Sequence, residues 1–314
     1  MDIHGIKAGK KYIDNNLFLA PMAGFTDYPF RKTIAPLGVG FSFTELTSAK
    51  GLYYGGKNNE ILLKSDDKER TGAQIFGSDP YFMRWACESD YLKDYEIVDI
   101  NMGCPVPKVV KNGDGSALLE DINLAESIVK ECVKSGKTIT VKIRTGVKDG
   151  DDVATDFCKM AENAGASLVT VHGRVRKAYY SGEPDFRAIE RAKRSVGIPV
   201  IANGGIFTVA DAENMIDRTG VDGVMIARGA IADPFIFLKL QNKTADGEIK
   251  TVRDFAVKHL LSEAETFGEK KAAVEFRKFV TYYFKNVRDS KIKRAEIMRS
   301  DSVEEIKEIM EKYL

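Results

Sequence analysis

The sequence predicts an α/β protein built as a (β/α)8 TIM barrel with a small C-terminal all-helical domain. Over the first 244 residues, eight short apolar segments rich in β-branched residues alternate with helical segments. Such near-continuous apolar strands are buried on both faces, which is typical of a parallel sheet. Eight strand–helix units fit a closed barrel of about 250 residues. The alternative is a doubly wound open sheet, which usually has fewer units and a GxGxxG fingerprint that we do not find near the first strand.

The eight predicted strands are short and evenly distributed, at 17–21, 41–47, 73–77, 97–101, 138–144, 168–172, 199–203 and 223–227. Several helices between them begin at recognisable signals. Asp27 and Asp79 each stand just before a helix with a proline in its first turn, and Thr208 with Asp211 has the form of a capping box. The longer predicted helices are 80–92, 121–135, 151–164, 185–194 and 230–240.

The pattern changes after residue 244. The segment 244–248 is a polar linker, and residues 252–312 have a helical period without strand signals. We therefore predict a barrel domain at 1–244 and a domain of three or four helices at 245–314. The last of these helices, 302–312, is predicted to be amphipathic and solvated.

Composition excludes several classes of protein. The 314 residues carry a formal net charge of +1, so no global field points to nucleic acid or membrane. The four cysteines are far apart and form no CxxC pair, so we expect no metal site. Unpaired thiols are typical of a cytoplasmic protein. We find no signal-peptide pattern and no long apolar run, so we expect no membrane contact.

Polar and small residues stand at the C-terminal end of nearly every predicted strand, where TIM barrels carry their chemistry. This placement predicts one site at the barrel mouth. The residues at these ends are Pro21, Met22, Ala23, Glu45, Gln74, Asn101, Cys104, Lys142, Arg144, His172, Arg174, Asn203, Gly204, Gly205, Ala227 and Arg228.

Two of these ends have a definite physical use. Glycines after the seventh strand, at 204–205, and Gly229 after the eighth let backbone N–H groups approach an anion, at the usual phosphate position of the barrel. Ordinary tight turns are the alternative interpretation. Lys142 lies inside a buried strand and needs an anionic or acceptor partner, from the protein or from a ligand. His172 is either a satisfied core histidine or part of a polar rim that suits an aromatic heterocycle.

The segment around Cys104 carries the one thiol of the predicted site. A buried strand ends at Gly103, and the next residue presents a lone thiol between a glycine and a proline. A loop with lysines and glycines follows. Cys104 is either a small buried hydrophobe or a reactive thiol at a strand end.

These segments resemble the tRNA-dihydrouridine synthases, most closely the bacterial B-type subfamily. The Asn101–Pro105 segment together with the Gly115-Ser-Ala loop is the most specific part, whereas the first motif is shared with other flavin barrels. The motifs that carry the resemblance are Ala20-Pro-Met-Ala-Gly24, Ala73-Gln-Ile-Phe-Gly77, Asp99-Ile-Asn-Met-Gly-Cys-Pro105, Gly113-Asp-Gly-Ser-Ala-Leu118, Val141-Lys-Ile-Arg144, Val171-His-Gly-Arg174 and Val200-Ile-Ala-Asn-Gly-Gly205.

The resemblance implies an enzyme that holds FMN and uses NADPH to reduce the C5–C6 double bond of a uridine in tRNA, giving 5,6-dihydrouridine. Cys104 would be the proton donor, since a thiol of ordinary pKa is protonated at neutral pH. The flavin would pack on Pro21, Met22 and Ala23, meet Gln74, Lys142 and His172 at its ring edge, and have its phosphate held by Asn203, Gly204, Gly205, Ala227 and Arg228.

The expected partners are tRNA and NADPH, and we expect a monomer. Between Arg277 and Arg299 the chain carries eight basic and two acidic residues with an aromatic run among them. This segment predicts a phosphate-tracking surface, with a solvated helix face as the alternative. The residues expected to contact tRNA are Asn101, Arg144, Arg174, Arg277, Lys278, Arg288 and Lys291.

Two other functions are considered. One is an FMN-dependent TIM-barrel oxidoreductase of a small molecule, similar to dihydroorotate dehydrogenase, which would not need the C-terminal helices. The other is an RNA-binding protein on an inactive barrel, which would not need polar residues at every strand end.

Overall fold

A computed structural model, which describes residues 1–285 and 287–314, contains a closed eight-stranded parallel barrel. The first strand pairs with the second and with the eighth, Phe18 opposite Phe41 and Leu17 opposite Val224, and this closes the sheet. The predicted TIM barrel is therefore confirmed. The strands are β1 (Leu17–Leu19), β2 (Phe41–Phe43), β3 (Thr71–Phe76), β4 (Ile97–Met102), β5 (Thr138–Arg144), β6 (Leu168–His172), β7 (Val200–Asn203) and β8 (Gly223–Ile226).

The helix-start signals are confirmed in the structure. The Asp27 carboxylate accepts a hydrogen bond from the Phe30 N–H, and Thr208 and Asp211 form a reciprocal capping box. The helices of the barrel are Tyr28–Ile34, Ala49–Tyr53, Asn59–Leu62, Pro80–Glu88, Pro107–Val110, Ile122–Val133, Ala154–Asn163, Phe186–Arg194, Val209–Thr219, Arg228–Ala232 and Ile236–Leu240.

The second strand is shorter than predicted. β2 ends at Phe43, and the pairing with β3 resumes only in the short strand Thr47–Ser48. The reason is local: the Thr44 hydroxyl accepts the Gln74 N–H at 3.0 Å, and the chain leaves the sheet. The interruption turns Glu45 towards the loop after β1, where its carboxylate accepts the Gly24 N–H at 2.5 Å.

An N-terminal hairpin, which the sequence patterns did not predict, covers the N-terminal end of the barrel. Its strands are Ile6–Ala8 and Lys11–Ile13. Ile6 and Ile13 pack in one apolar cluster with Phe18 and other residues near the strand starts. Strands of three residues are too short to show a period of two, so the pattern carried no signal.

Four helices follow the barrel, within the three or four predicted, at Val252–Phe267, Glu269–Tyr283, Ser290–Arg299 and Val303–Tyr313. We call them the first to fourth C-terminal helices. The first two pack on the helix Tyr28–Ile34 of the barrel, and the ring of Phe30 stacks on that of Phe279 at 5.9 Å. The predicted division at residue 244 stays a prediction. Of the helices in the described ranges, none is long and apolar enough to cross a membrane.

A buried polar cluster lies at this contact, formed by Asp27, His259 and Glu263. The His259 Nε2 lies 3.4 Å from the Glu263 Oε1, and its Nδ1 shares a hydrogen bond with the Tyr283 hydroxyl at 2.9 Å. Burial, and then the charge of Glu263, raises the pKa of Asp27 to about 7. Burial lowers the pKa of His259 to about 4, so this imidazole is neutral near pH 7.

This cluster predicts a pH-dependent stability. Because the pKa of Asp27 is raised on folding, its contribution is complete below about pH 4 and is lost as the pH rises through about 7. The loss amounts to about 1.4 kcal/mol per pH unit in that window. Asp27→Asn keeps a helix-capping side chain and removes the titration, so its free energy of unfolding should rise relative to wild type from pH 4.5 to 7.5.

Urea unfolding at four pH values in this window measures the difference. Asp79→Asn is the matched control, because Asp79 caps the helix Pro80–Glu88 but is exposed. A difference between Asp27→Asn and wild type that stays constant with pH, or that Asp79→Asn reproduces, would contradict the assignment.

Candidate active site at the barrel mouth

The C-terminal ends of the strands enclose a cavity of about 380 Å³. Of the residues predicted at the strand ends, Glu45 and Gln74 do not line it. The others do, although they come from six different strand ends. These lining residues are Pro21, Met22, Ala23, Asn101, Cys104, Lys142, Arg144, His172, Arg174, Asn203, Gly204, Gly205, Ala227 and Arg228.

Asn101 fixes the start of the loop that carries the thiol. Its side-chain carbonyl accepts the N–H groups of Gly103 at 3.1 Å and Cys104 at 2.9 Å. Its amide donates to the Gln74 Oε1 at 2.9 Å, and Gln74 in turn donates to Asp99 at 2.7 Å. Gln74 is fully buried behind Asn101, so the structure places it as a support for Asn101 and not on the cavity wall.

Cys104 is half-buried and is held from the other side by the loop at 115–116. The Ser116 hydroxyl and N–H both donate to the Cys104 carbonyl, at 2.8 and 3.1 Å. Gly115 has φ +61°, and a Cβ there would lie 3.1 Å from the Cys104 Cβ, so the close approach requires glycine. Burial raises the pKa of the Cys104 thiol, and the group is therefore protonated at neutral pH.

Lys142 reaches the cavity from inside β5 and finds a neutral acceptor. Its Nζ donates to the Asn203 Oδ1 at 2.9 Å, and the Asn203 amide donates to the Met225 carbonyl at 2.7 Å. Burial, and then the charge of Arg144, lowers the pKa of Lys142 to about 8. Among the described residues no carboxylate forms an ion pair with Lys142, so an anionic ligand in the cavity would stabilise its charge.

His172 and Arg174 each leave one buried nitrogen without a partner among the described residues, Nδ1 and Nη1 respectively. The other guanidinium nitrogens of Arg174 donate to backbone carbonyls at Ser181 and Gly182. Burial, and then the charge of Lys142, holds the pKa of His172 well below its ordinary value, so the ring is neutral. Unpartnered polar atoms in a cavity wall are costly, and a polar ligand would satisfy them.

Arg144 is tied to the backbone on both sides of the mouth. Its Nε donates to the Gly103 carbonyl at 2.8 Å, and its Nη1 donates to the Tyr179 carbonyl at 2.9 Å. Arg144 therefore joins the Cys104 loop to the loop after β6. The Tyr180 ring lies between this group and Arg228: its centre is 5.8 Å from the Arg144 guanidinium and 4.6 Å from that of Arg228.

Sequence reasoning missed several aromatic residues of the cavity wall, namely Phe25, Tyr180, Phe207 and Tyr282. Tyr282 comes from the second C-terminal helix, and its ring meets Phe25 edge to face at 6.2 Å. The aromatic run at 282–284 was visible in the sequence, but only packing shows which of its side chains faces the mouth.

The four predicted basic contacts of the C-terminal helices differ in their surroundings. Arg277 donates to Asp301 at 2.7 Å and to the Ser300 carbonyl at 2.9 Å, so it joins the second helix to the segment before the fourth. Lys278 pairs with Glu275 at 3.0 Å. Arg288 and Lys291 are exposed.

Comparison with known proteins gives the family. The model of the family described as dihydrouridine synthase (Dus) matches residues 18–314. The chain belongs to the dihydrouridine synthase family. It is 34% identical to tRNA-dihydrouridine synthase B of Proteus vulgaris over 317 residues, which cover 98% of each chain. It is also 34% identical to tRNA-dihydrouridine synthase B of Pseudomonas aeruginosa, over 94% of this chain and 91% of that protein.

Solved structures with low identity share the fold of this dihydrouridine synthase. Histamine dehydrogenase from Rhizobium sp. 4-9 is 13% identical and matches with a TM-score of 0.58, over 82% of this chain and 50% of that one. A variant of NCR from Zymomonas mobilis is 13% identical with a TM-score of 0.53, over 81% and 98%. These likenesses concern the barrel architecture alone.

Family membership decides between the three functions considered from the sequence. A dihydrouridine synthase is an oxidoreductase that acts on uridine in tRNA, which is the function expected from the motifs. The comparisons do not favour a TIM-barrel oxidoreductase of a small molecule. The matching proteins are described as enzymes, so the comparisons do not favour an RNA-binding protein on an inactive barrel either.

Proposed function

We propose that this protein reduces the C5–C6 double bond of a tRNA uridine with FMN in the barrel-mouth cavity, NADPH as reductant and Cys104 as proton donor. Family membership implies a flavin cofactor; the choice of FMN and NADPH is part of the proposal. The observation that carries it is a protonated thiol that lines the same cavity as a buried lysine, which forms no ion pair in the part of the chain that the structure describes.

The residues present fit a flavin phosphate ester. Lys142 offers a cation that forms no ion pair among the described residues, and His172 offers an unpartnered ring nitrogen. Both suit the polar edge of a heterocycle. Gly204 and Gly205 have φ values of +112° and +76° and no Cβ, so the backbone can come close to a ligand. We assign the ring face to Pro21, Met22 and Ala23, and the phosphate to Asn203, Gly204, Gly205, Ala227 and Arg228.

Gln74 receives a different assignment. Both ends of its side-chain amide are already bonded, to Asn101 and to Asp99. We therefore assign Gln74 to positioning Asn101, and through Asn101 the Cys104 loop, and not to the ring edge.

The reduction adds a hydride at C6 of the uracil and a proton at C5. A reduced flavin held in the cavity would supply the hydride, and the protein would supply the proton. Cys104 is suited to this step because burial keeps its thiol protonated, and the loop bonds from Asn101 and Ser116 hold it in place. The nearby charges of Arg144 and Lys142 favour the thiolate that remains. Cys104 is half-buried, so it can regain a proton from solvent.

The tRNA must present the target uridine to a recessed cavity, which requires flipping the base out of its stack. We propose that Arg288 and Lys291 contact the RNA backbone, because both are exposed. Arg144 and Arg174 face the cavity but are largely bonded to carbonyls, so we assign them to shaping the uridine pocket. A cytoplasmic location, a monomer and the absence of a metal remain predictions.

Replacing the thiol tests its role. Cys104→Ala should lower the rate of dihydrouridine formation by about 10²–10⁴-fold, the usual contribution of a general acid. Flavin content and its reduction by NADPH should be unchanged, because that half-reaction does not involve the uracil. Mass analysis of tRNA for a gain of two hydrogens measures dihydrouridine formation, and bleaching of the flavin absorbance by NADPH measures flavin reduction. Wild-type tRNA reduction by the alanine variant would show that Cys104 only packs.

Replacing the buried lysine tests the cofactor site. Lys142→Met removes the cation from the cavity and should lower the flavin content of the purified protein or slow its reduction by NADPH. Lys137→Met is the matched control, because Lys137 is a partly buried lysine just before β5, at the other end of the barrel. Equal flavin content and equal bleaching rates in Lys142→Met and wild type would refute the assigned role.

The RNA contacts have an electrostatic signature. Arg288→Gln with Lys291→Gln should weaken tRNA binding and reduce the log–log salt slope by about 0.7–0.9 for each lost phosphate contact. The control pair is Lys159→Gln with Arg187→Gln, two exposed cations on outer helices of the barrel. Titrations with tRNA at several salt concentrations measure this slope. If the slope of the Arg288→Gln, Lys291→Gln variant equals that of wild type, the RNA contacts lie elsewhere.

A further inference from the structure

A cluster of aromatic side chains lies on the surface beside the barrel mouth and has no role in the reaction described above. We call it the aromatic patch: Tyr53, Tyr54, Tyr81, Phe82 and Trp85. The Tyr53 ring lies 4.9–6.2 Å from each of the other four, all edge to face. Tyr54 and Tyr81 are nonetheless 69% and 62% exposed. Clustered exposed rings of this kind mark binding surfaces.

The aromatic patch adjoins the loop that carries Cys104. Its first tyrosines end the helix Ala49–Tyr53, which follows the short strand paired with the C-terminal end of β3. Its other members lie on Pro80–Glu88, the helix that follows β3. Between β3 and that helix, the Ser78 hydroxyl donates to the Asn112 carbonyl of the Cys104 loop at 3.4 Å.

The order of the strands places the aromatic patch between two parts of the active site. The C-terminal helices contact the helices that follow β8 and β1. The patch follows β2 and β3, and the Cys104 loop follows β4. An RNA that runs from the C-terminal helices to the thiol along this side of the mouth would pass over the patch.

Four lysines accompany the rings. The Lys50 Nζ lies 5.7 Å from the centre of the Phe82 ring, and Lys57 is exposed three residues after Tyr54. Lys108 and Lys111 are exposed on the Cys104 loop, whose Asn112 carbonyl accepts a hydrogen bond from Ser78. Asp114, whose carboxylate bonds to Ser78 and interacts with the charge of Lys50, is partly buried. Exposed ring faces with lysines around them are typical of surfaces that bind single-stranded nucleic acid, where bases stack and phosphates meet cations.

We propose that the aromatic patch binds unpaired bases of the substrate tRNA by stacking on Tyr54 and Tyr81, with phosphates beside Lys50, Lys57, Lys108 and Lys111. The proposal rests on tRNA being the substrate and adds a second RNA contact to that of the C-terminal helices. Stacking needs the ring and not its hydroxyl, so phenylalanine should replace either tyrosine.

The chain contains a suitable reporter. Trp85 is its only tryptophan, and its ring lies 4.9 Å from that of Tyr53. Titration with unmodified tRNA should change the Trp85 fluorescence of the flavin-loaded protein. The double variant Tyr54→Ala, Tyr81→Ala should lose most of this change and bind labelled tRNA at least about fivefold more weakly, as loss of a stacked base predicts.

Two variants and two readouts control the experiment. Tyr54→Phe with Tyr81→Phe should bind like wild type. Tyr12→Ala removes an equally exposed tyrosine, 64% exposed, from the hairpin at the other end of the barrel and should change nothing. In the alanine double variant the KM for tRNA should rise while flavin reduction by NADPH stays unchanged, because the patch is outside the cavity.

Wild-type tRNA affinity in the alanine double variant would overturn the proposal. If light scattering showed in addition that the molar mass of this variant differs from that of wild type, the patch would be assigned to contact between copies of the chain. Failure of the proposed function is a separate result: wild type would then form no dihydrouridine in tRNA, whatever the variants do.

Discussion

Closure of the parallel sheet is the constraint on which the rest of the structure depends. β1 is only three residues long, yet it pairs with both β8 and β2 and completes the ring. Parallel strands in a closed ring bring all their C-terminal ends to one face. For this reason Met22, Lys142 and Arg228, which are far apart in the sequence, line a single cavity. The hairpin at the opposite face covers the apolar strand starts, so the mouth is the open end.

Several buried cations line the cavity, and their hydrogen-bond acceptors are neutral groups. Arg144 and Arg174 donate to backbone carbonyls, and Lys142 donates to an amide. Burying cations against neutral acceptors leaves part of their charge uncompensated, which is unfavourable and therefore favours an anionic ligand. Burial and these same charges hold the pKa of His172 well below its ordinary value, and its Nδ1 can accept or donate according to the tautomer.

The C-terminal helices contribute to the wall of the barrel-mouth cavity as well as being an expected RNA contact. Their aromatic side chains pack on Phe30, and Tyr282 enters the cavity wall. The Asp27–His259–Glu263 cluster lies buried at the same contact, so the helix that follows β1 is attached to the C-terminal helices by both apolar and titratable groups. A shift of the C-terminal helices would therefore also move the helix Tyr28–Ile34 and the turn at 21–23, which lies shortly before that helix in the chain.

The sequence by itself determined the barrel, because eight apolar strands with polar C-terminal ends have few other ways to bury their faces, and its motifs indicated the family. It also located most of the polar residues of the cavity wall, since strand-end position is a local property. Only the tertiary structure decided what each side chain touches: Gln74 lies behind Asn101, Arg277 binds Asp301, and Tyr282 reaches the mouth. The first two contacts join residues that are 27 and 24 positions apart, and the third joins a C-terminal helix to the barrel mouth, so no local period records them. Short elements such as the hairpin and the break in the second strand also required the structure, because three residues show no periodicity and their conformation is set by the neighbours they pack against.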